Sequence, residues 1–327
     1  MEIQYLLADP TQNITVLVTT PVSRALQPEL ASLLLNLEPE AEQVGFVETA
    51  ADGQMRLQMM GGEFCGNATM SFGAWLCRRA PIGQTCRLAL KISGAPALVE
   101  CSITPLDGCF LGTVDMPLPE KIETLRLPLG SETAELSVVR LPGISHIIVP
   151  AQVLTRARAE ELIRRWAEVL HADALGILLL QEEELCFDPL VYVTQTDTAV
   201  WERGCGSGSA AIGCYLAHVL CAAGNEVTLL ARGAWKDALE KDGLVIRHRL
   251  QRKTTVDRPA VIGTPDSGAQ YNVVFAVMQH QQLWMVLDEL AALDAPLVVL
   301  VGNIILGNFS AFSFLSQPIA HSNHIWN

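Results

Sequence analysis

Charge is scarce in this chain. Asp, Glu, Lys and Arg make up only 17% of its 327 residues, against 50% hydrophobic residues, which is the balance of a folded protein and not of a disordered one. Positive charge is scarcer still. The formal net charge is −13, and basic runs go no further than Arg78-Arg79, Arg164-Arg165 and the short segment from Arg247 to Lys253. Nucleic acid is therefore not an expected partner, because phosphate binding needs clustered Lys and Arg. The amino terminus carries Glu2 and Asp9 in place of a cationic start and an apolar core, so no signal peptide is expected. No two of the nine cysteines are spaced Cys-x-x-Cys. An odd number of such thiols fits free cysteines in a reducing, cytoplasmic setting better than a disulfide framework or a structural zinc site.

Two short stretches stand out against this background. Phe64-Cys65-Gly66-Asn67-Ala68 precedes the mostly apolar run Thr69 to Cys77. Gly204-Cys205-Gly206-Ser207-Gly208-Ser209 precedes another ending at Cys221. Each puts a Cys-Gly step and a small polar residue at the start of a buried helix. A thiol placed there meets unpaired backbone N–H groups and the positive end of the helix dipole, which should lower its pKa towards neutrality. The other seven cysteines read as core fillers.

The chain approaches both stretches in the same way. In the first half come a strand from Ile14 to Val18, a helix with Leu30, Leu33, Leu34 and Leu37 on one face, and strands at Val44–Val47 and Met55–Met60. In the second come a strand from His146 to Val149, a helix with Leu162, Ile163, Trp166, Val169 and Leu170 on one face, and strands at Ile177–Leu180 and Leu190–Thr194. Further strands are expected at Leu88–Ile92, Ala97–Ile103, Phe110–Met116, Ala199–Trp201, Val227–Arg232, Leu244–Leu250 and Val256–Gly263. Repetition of strand, helix, strands, Cys-Gly and buried helix points to internal duplication. It places Asn13 and His146 at related positions. Pro117-Leu118-Pro119 marks the boundary between halves, since two prolines in three residues end regular structure.

The expected fold is α+β (α/β): two similar pseudo-symmetric domains, each a mixed sheet curled round a central helix, with the active site between them. The expected limits are 1–118 for the first half, closed by a late strand at 255–264, and 119–254 for the second. Residues 265–327 form an apolar extension of unknown role. It holds no Lys or Arg, and its uncharged stretch 296–315 is near bilayer length. Nothing basic flanks that stretch, and a packed helix or extension is preferred to a membrane anchor.

Paired thiols suit a specific task. Moving a proton from one face of an amino acid's α-carbon to the other needs a base on one side and an acid on the other. The same helix starts offer N–H groups to the substrate carboxylate. Racemisation competes with a thiol hydrolase or acyltransferase that uses Cys205 as nucleophile and His146 as base, and with inert buried thiols.

On Cys65-Gly66-Asn67-Ala68, Cys205-Gly206-Ser207-Gly208, Asn13 and the Val114-Asp115-Met116-Pro117 crossover, the chain resembles the diaminopimelate epimerase-like amino-acid racemases, which work without pyridoxal phosphate. Glu42-Gln43-Val44-Gly45-Phe46, Gly62-Glu63 ahead of Phe64, and Trp201-Glu202 look like one branch, the histidine racemases that supply D-histidine for opine-type metallophores. The resemblance covers roughly residues 1 to 264. It implies Cys65 and Cys205 as the acid/base pair and no cofactor or metal. Gly66, Asn67, Gly206 and Ser207 would hold the α-carboxylate and α-amino group. Asn13 and Gln43 would line the pocket, Glu42 would hold the imidazole, His146 would flank the site, and Glu202 would also bind substrate. A homodimer is the implied assembly. Another amino acid remains the alternative substrate. Met59-Met60-Gly61-Gly62-Glu63 and the Glu202-Arg203 pair close to Cys205 depart from the diaminopimelate pattern, and Arg203 departs from the histidine branch.

Overall fold

In the computed structural model the described residues are 2–10, 12–50, 52–117, 119–181, 186–248, 253–278, 286–296 and 298–301. The β-branched run after Asn13 forms a strand buried at every position, and that strand organises the first sheet. In order along the chain come β1 (Tyr5–Ala8), β2 (Thr15–Val18), α1 (Gln27–Leu37), β3 (Gln43–Thr49), β4 (Met55–Met59), α2 (Gly66–Cys77), β5 (Cys86–Ile92), β6 (Val99–Leu106) and β7 (Cys109–Val114). Strands β1 to β7 lie side by side in that order as one mixed sheet. The β2–β3 pair is parallel, joined through α1, and its register sets Thr15 opposite Gln43.

The second sheet follows a similar plan. Its elements are β8 (Lys121–Leu129), β9 (Glu132–Leu141), β10 (Ile144–Pro150), α3 (Arg156–Leu170), β11 (Ala174–Gln181), β12 (Cys186–Val193), β13 (Thr198–Trp201) and α4 (Gly206–Ala222). Again a parallel pair, β10–β11, is joined through an amphipathic helix and followed by an antiparallel strand. The helix α3 buries Ala159, Leu162, Ile163, Trp166, Ala167 and Leu170, and the Trp166 indole N–H donates to Pro128 O at 2.8 Å. Later come β14 (Thr228–Leu230), α5 (Gly233–Asp242), β15 (Leu244–His248), β16 (Lys253–Asp257), β17 (Ala260–Ile262), β18 (Val274–Val277), α6 (Leu287–Ala291) and β19 (Val298–Val301).

The α+β class with mixed sheets therefore forms as expected. Each Cys-Gly helix is a core element. α2 packs against β2, β4, β5, β6 and β7, and α4 against β9, β10, β15 and β16. One apolar cluster joins the halves, with Val16, Val44, Phe46 and Met60 from the first and Leu141, Ile144, Val191, Val193 and Cys205 from the second.

Several expectations need correction. The segment 255–264 is two strands, and neither pairs with the first sheet: β16 pairs with β15 at the edge of the second sheet, and β17 pairs in parallel with β14. Pro259 divides the run, because its ring removes the N–H a continuous ladder would use. On α1, Leu33 and Leu37 are exposed, and Ala31 and Leu34 point inward. On α3, Val169 is exposed. The long β8–β9 hairpin, β1 and α5 were not expected; the alternation in β8 and β9 is interrupted by charged side chains that pair with one another, such as Arg126 with Glu135. Among the described residues no helix is long and apolar enough to cross a membrane. Most of the 296–315 stretch lies outside the described residues.

Candidate functional site

Both Cys-Gly steps become helix N-caps with nearly the same geometry. Cys65 caps α2 with extended backbone (φ −133°, ψ 115°), and its Sγ accepts the Ala68 N–H at 3.4 Å. Cys205 caps α4 (φ −111°, ψ 101°), and its Sγ accepts the Gly208 N–H at 3.4 Å. Four residues into each helix a hydroxyl reaches back to the cap carbonyl: Thr69 Oγ1 donates to Cys65 O at 2.7 Å and Ser209 Oγ to Cys205 O at 3.1 Å. Space is tight in the first turn of each helix: a Cβ on Gly66 would lie 3.1 Å from the Met116 sulfur, and one on Gly208 would lie 3.0 Å from Leu178 and 3.1 Å from the Cys205 sulfur.

A narrow cleft lies at these two helix starts. It is lined by Asn13, Glu42, Gln43, Cys65, Gly66, Asn67, Glu202, Cys205, Gly206 and Ser207, together with Met60, Glu63, Phe64 and apolar side chains of the second sheet. Ten of the eleven expected site residues thus meet in one place. His146 is the exception. It is fully buried behind the wall, and its Nε2 is 2.8 Å from the Ser207 hydroxyl.

A hydrogen-bond chain holds the first half of the cleft. The Cys65 thiol donates to Gln43 Oε1 at 2.9 Å. Gln43 donates to Asn13 Oδ1 and, at 2.8 Å, to Thr15 Oγ1. Asn13 in turn donates to Glu42. Asn67 ties the halves together, donating to Asn13 Oδ1 and to Gly204 O, both at 2.9 Å. Glu42 is committed to this frame: besides Asn13 it accepts the Arg203 Nε–H at 2.6 Å and the Arg203 backbone N–H at 3.2 Å. Both of its oxygens accept hydrogen bonds within this frame. Arg203 reaches on to Glu40 O at 2.7 Å.

Electrostatics overturn the expected thiol acidity. Burial pushes the Cys65 thiol up to about 12, helped by the negative charge of Glu202, and outweighs the Ala68 N–H. Burial and the neighbouring Glu202 raise Cys205 well above an ordinary thiol. Desolvation costs a thiolate more than one long N–H contact returns. The same burial raises Glu63 to about 7 and Glu202 to about 8, and Glu202 is hydrogen-bonded to the Cys205 thiol. His146 is driven down to about 3 by burial, and its Nδ1 has no partner among the described residues. Among the described residues no group of three or more His, Cys, Asp or Glu could hold a metal ion.

Residues that sequence reasoning left out of the site are Thr15, Glu63 and Gly176. A Cβ on Gly176 would lie 2.1 Å from His146 Nδ1, so a side chain there would displace the imidazole. The register opposite His146 was the available signal, and it required knowing which strand lies beside β10.

Residues 2–228 match the family model described as the histidine racemase CntK N-terminal domain. The chain belongs to the histidine racemase family. The histidine racemase of Staphylococcus aureus is 29% identical over 220 residues, covering 65% of this chain and 79% of that protein. The histidine racemase of Fusobacterium nucleatum is 29% identical over 223 residues, covering 65% and 81%. A solved structure described as a predicted epimerase from Pseudomonas aeruginosa aligns at 14% identity with TM-score 0.46, over 67% of this chain and 82% of that one. One described as a probable proline racemase from Agrobacterium radiobacter aligns at 14% identity with TM-score 0.47, over 76% and 82%. Towards the C-terminal end, residues 206–304 match a model described as ketopantoate reductase PanE/ApbA. The two matches overlap on 206–228, so α4, which Cys205 caps at the cleft, falls within both.

Proposed function

We propose that this protein racemises free histidine, interconverting the L and D forms without a cofactor, with Cys65 and Cys205 as the acid/base pair. The observation that carries the reading is the pair of thiols capping two helices with matching geometry and lining one cleft. One thiolate removes the α-proton, and the opposite thiol returns a proton to the other face. Backbone N–H groups at Gly66, Asn67, Gly206 and Ser207 receive the α-carboxylate as it gathers charge. Glu202 is bonded to Cys205 and has a pKa raised towards the thiol range, so it is suited to take that thiol's proton and create the base.

The competing readings have less support. His146 contacts Ser207, and its lowered pKa makes it a poor general base for a Cys205 nucleophile. No cationic residue lines the cleft among the described residues to receive a distal carboxylate such as that of diaminopimelate. The wider reading is of two duplicated halves, a homodimer in the cytoplasm, and D-histidine supplied for metallophore biosynthesis. Leu26, Leu33 and Leu37 on and beside α1 expose apolar surface that a second copy could cover.

The test incubates the purified protein with L-histidine in D2O and follows deuterium entering the α-carbon together with optical rotation. Exchange with loss of rotation supports the proposal. Absence of exchange with any amino acid refutes it, and exchange with another amino acid alone reassigns the substrate.

A further inference from the structure

We propose that Glu63 is the specificity-determining residue of the cleft, accepting a ring N–H of the substrate side chain. The inference rests on the histidine racemase reading and names the group that selects the ring. Three glutamates line the cleft, and the partners of their carboxyls differ. Glu42 has both oxygens occupied by Arg203 and Asn13. Glu202 is engaged with the Cys205 thiol. The Glu63 carboxyl is reached, among the described residues, only by backbone N–H groups: that of Gly61, at 2.9 Å, and its own. No side chain satisfies it, although Glu63 is only 5% exposed. A buried carboxyl in that state retains acceptor capacity for a ligand.

The surrounding backbone is shaped to hold this residue. A Cβ on Gly61 would fall 2.8 Å from Glu63 Oε2 and 2.2 Å from Val193. Gly94 (φ +71°) and Gly143 (φ +77°) press on the Glu63–Phe64 backbone, where a Cβ would lie within 2.9 Å, and Ser93 Oγ donates to Glu63 O at 2.8 Å. The carboxyl is therefore fixed two residues before Cys65. Met60, Ile144 and Val193 supply apolar wall in the same cleft. A carboxyl acceptor with apolar walls and no lining cation fits a small, flat ring bearing an N–H, neutral or positively charged, and disfavours an anionic side chain.

The test compares L-histidine with thiazolylalanine, an isostere in which sulfur replaces one ring N–H, by α-deuterium exchange in wild type and Glu63→Gln. The expected result is a rise in KM for histidine of about 10- to 100-fold, the cost of one charged hydrogen bond, with kcat changed less. The kcat/KM for thiazolylalanine should stay near wild type, so the preference for histidine collapses. An unchanged KM for histidine in Glu63→Gln overturns the inference and leaves the racemase reading intact. If Glu42→Gln, and not Glu63→Gln, removes the preference, ring recognition belongs to Glu42 and the inference is again overturned. Should Glu63→Gln fail to fold, Glu63→Asp decides: its shortened carboxyl should also raise the histidine KM, and an unchanged value refutes the role. A wild-type protein inactive on histidine overturns both readings.

Discussion

Replacing Arg203 with Met isolates the ion pair that closes the cleft frame. Glu42 is 5% exposed at its side chain, and Arg203 is 44% exposed. Removing the guanidinium leaves a buried carboxylate with Asn13 and one backbone N–H. Breaking a fully buried pair costs about 3–5 kcal/mol, but Arg203 is partly solvated, so the loss should be roughly 2 kcal/mol. In a chain of 327 residues that corresponds to a fall in Tm of about 3 °C. The pH dependence follows from Glu42, whose pKa is already raised by burial and is lowered by Arg203. Without Arg203 it rises further. A carboxyl with a raised folded pKa destabilises the fold above its unfolded pKa, so Arg203→Met should lose more stability at pH 8 than at pH 5. Urea denaturation at both pH values measures this, and a double-mutant cycle with Glu42→Gln measures the coupling. The reasoning is refuted if Arg203→Met stays within about 0.5 kcal/mol of wild type at both pH values, or if the coupling is zero.

Cys65→Ser and Cys205→Ser should each lower histidine racemisation by at least about a hundredfold, measured as optical rotation, because neither face can be served by the other thiol. Glu63, raised to about 7, opposes folding as pH climbs from its unfolded value through that point. The stability difference between Glu63→Gln and wild type should therefore shift by roughly 3 kcal/mol in favour of the variant between pH 5 and pH 9, read from urea midpoints. His146 works in the opposite direction: held neutral down to about 3, it should make the fold lose stability as pH drops below about 6.5, and His146→Asn should lessen that dependence in acid melts. Gly176→Ala overlaps the His146 ring and should cost about 1–3 kcal/mol in thermal or urea unfolding.

The two helix starts were legible because capping is local chemistry. Cys-Gly followed by a small polar residue and an apolar run needs no distant contact to specify an N-cap. Most strand positions were legible too, since short runs of Val, Ile, Leu and Thr such as Thr15–Val18 and Ile177–Leu179 are buried on both faces. Exposed hydrophobics misled the reading at Leu33, Leu37 and Val169, where periodicity marks a broad stripe but not which edge of it meets the sheet. The hairpin at 121–141 was missed because its charged positions are satisfied across the strands, and such pairing is invisible until the register is known.

By itself the sequence determined the two capped thiols, the repeated order of elements and the absence of a basic surface. All three depend on residue type and spacing along a few turns of chain. Only the tertiary structure decided how those thiols are charged, because desolvation is a property of everything packed around a group and here it exceeds the local pull of a helix N-terminus. It also decided the fates of the three carboxyls. Glu42 was claimed by Arg203, which lies 161 residues away in the chain, Glu202 by Cys205, and Glu63, at the cleft, was left to backbone N–H groups.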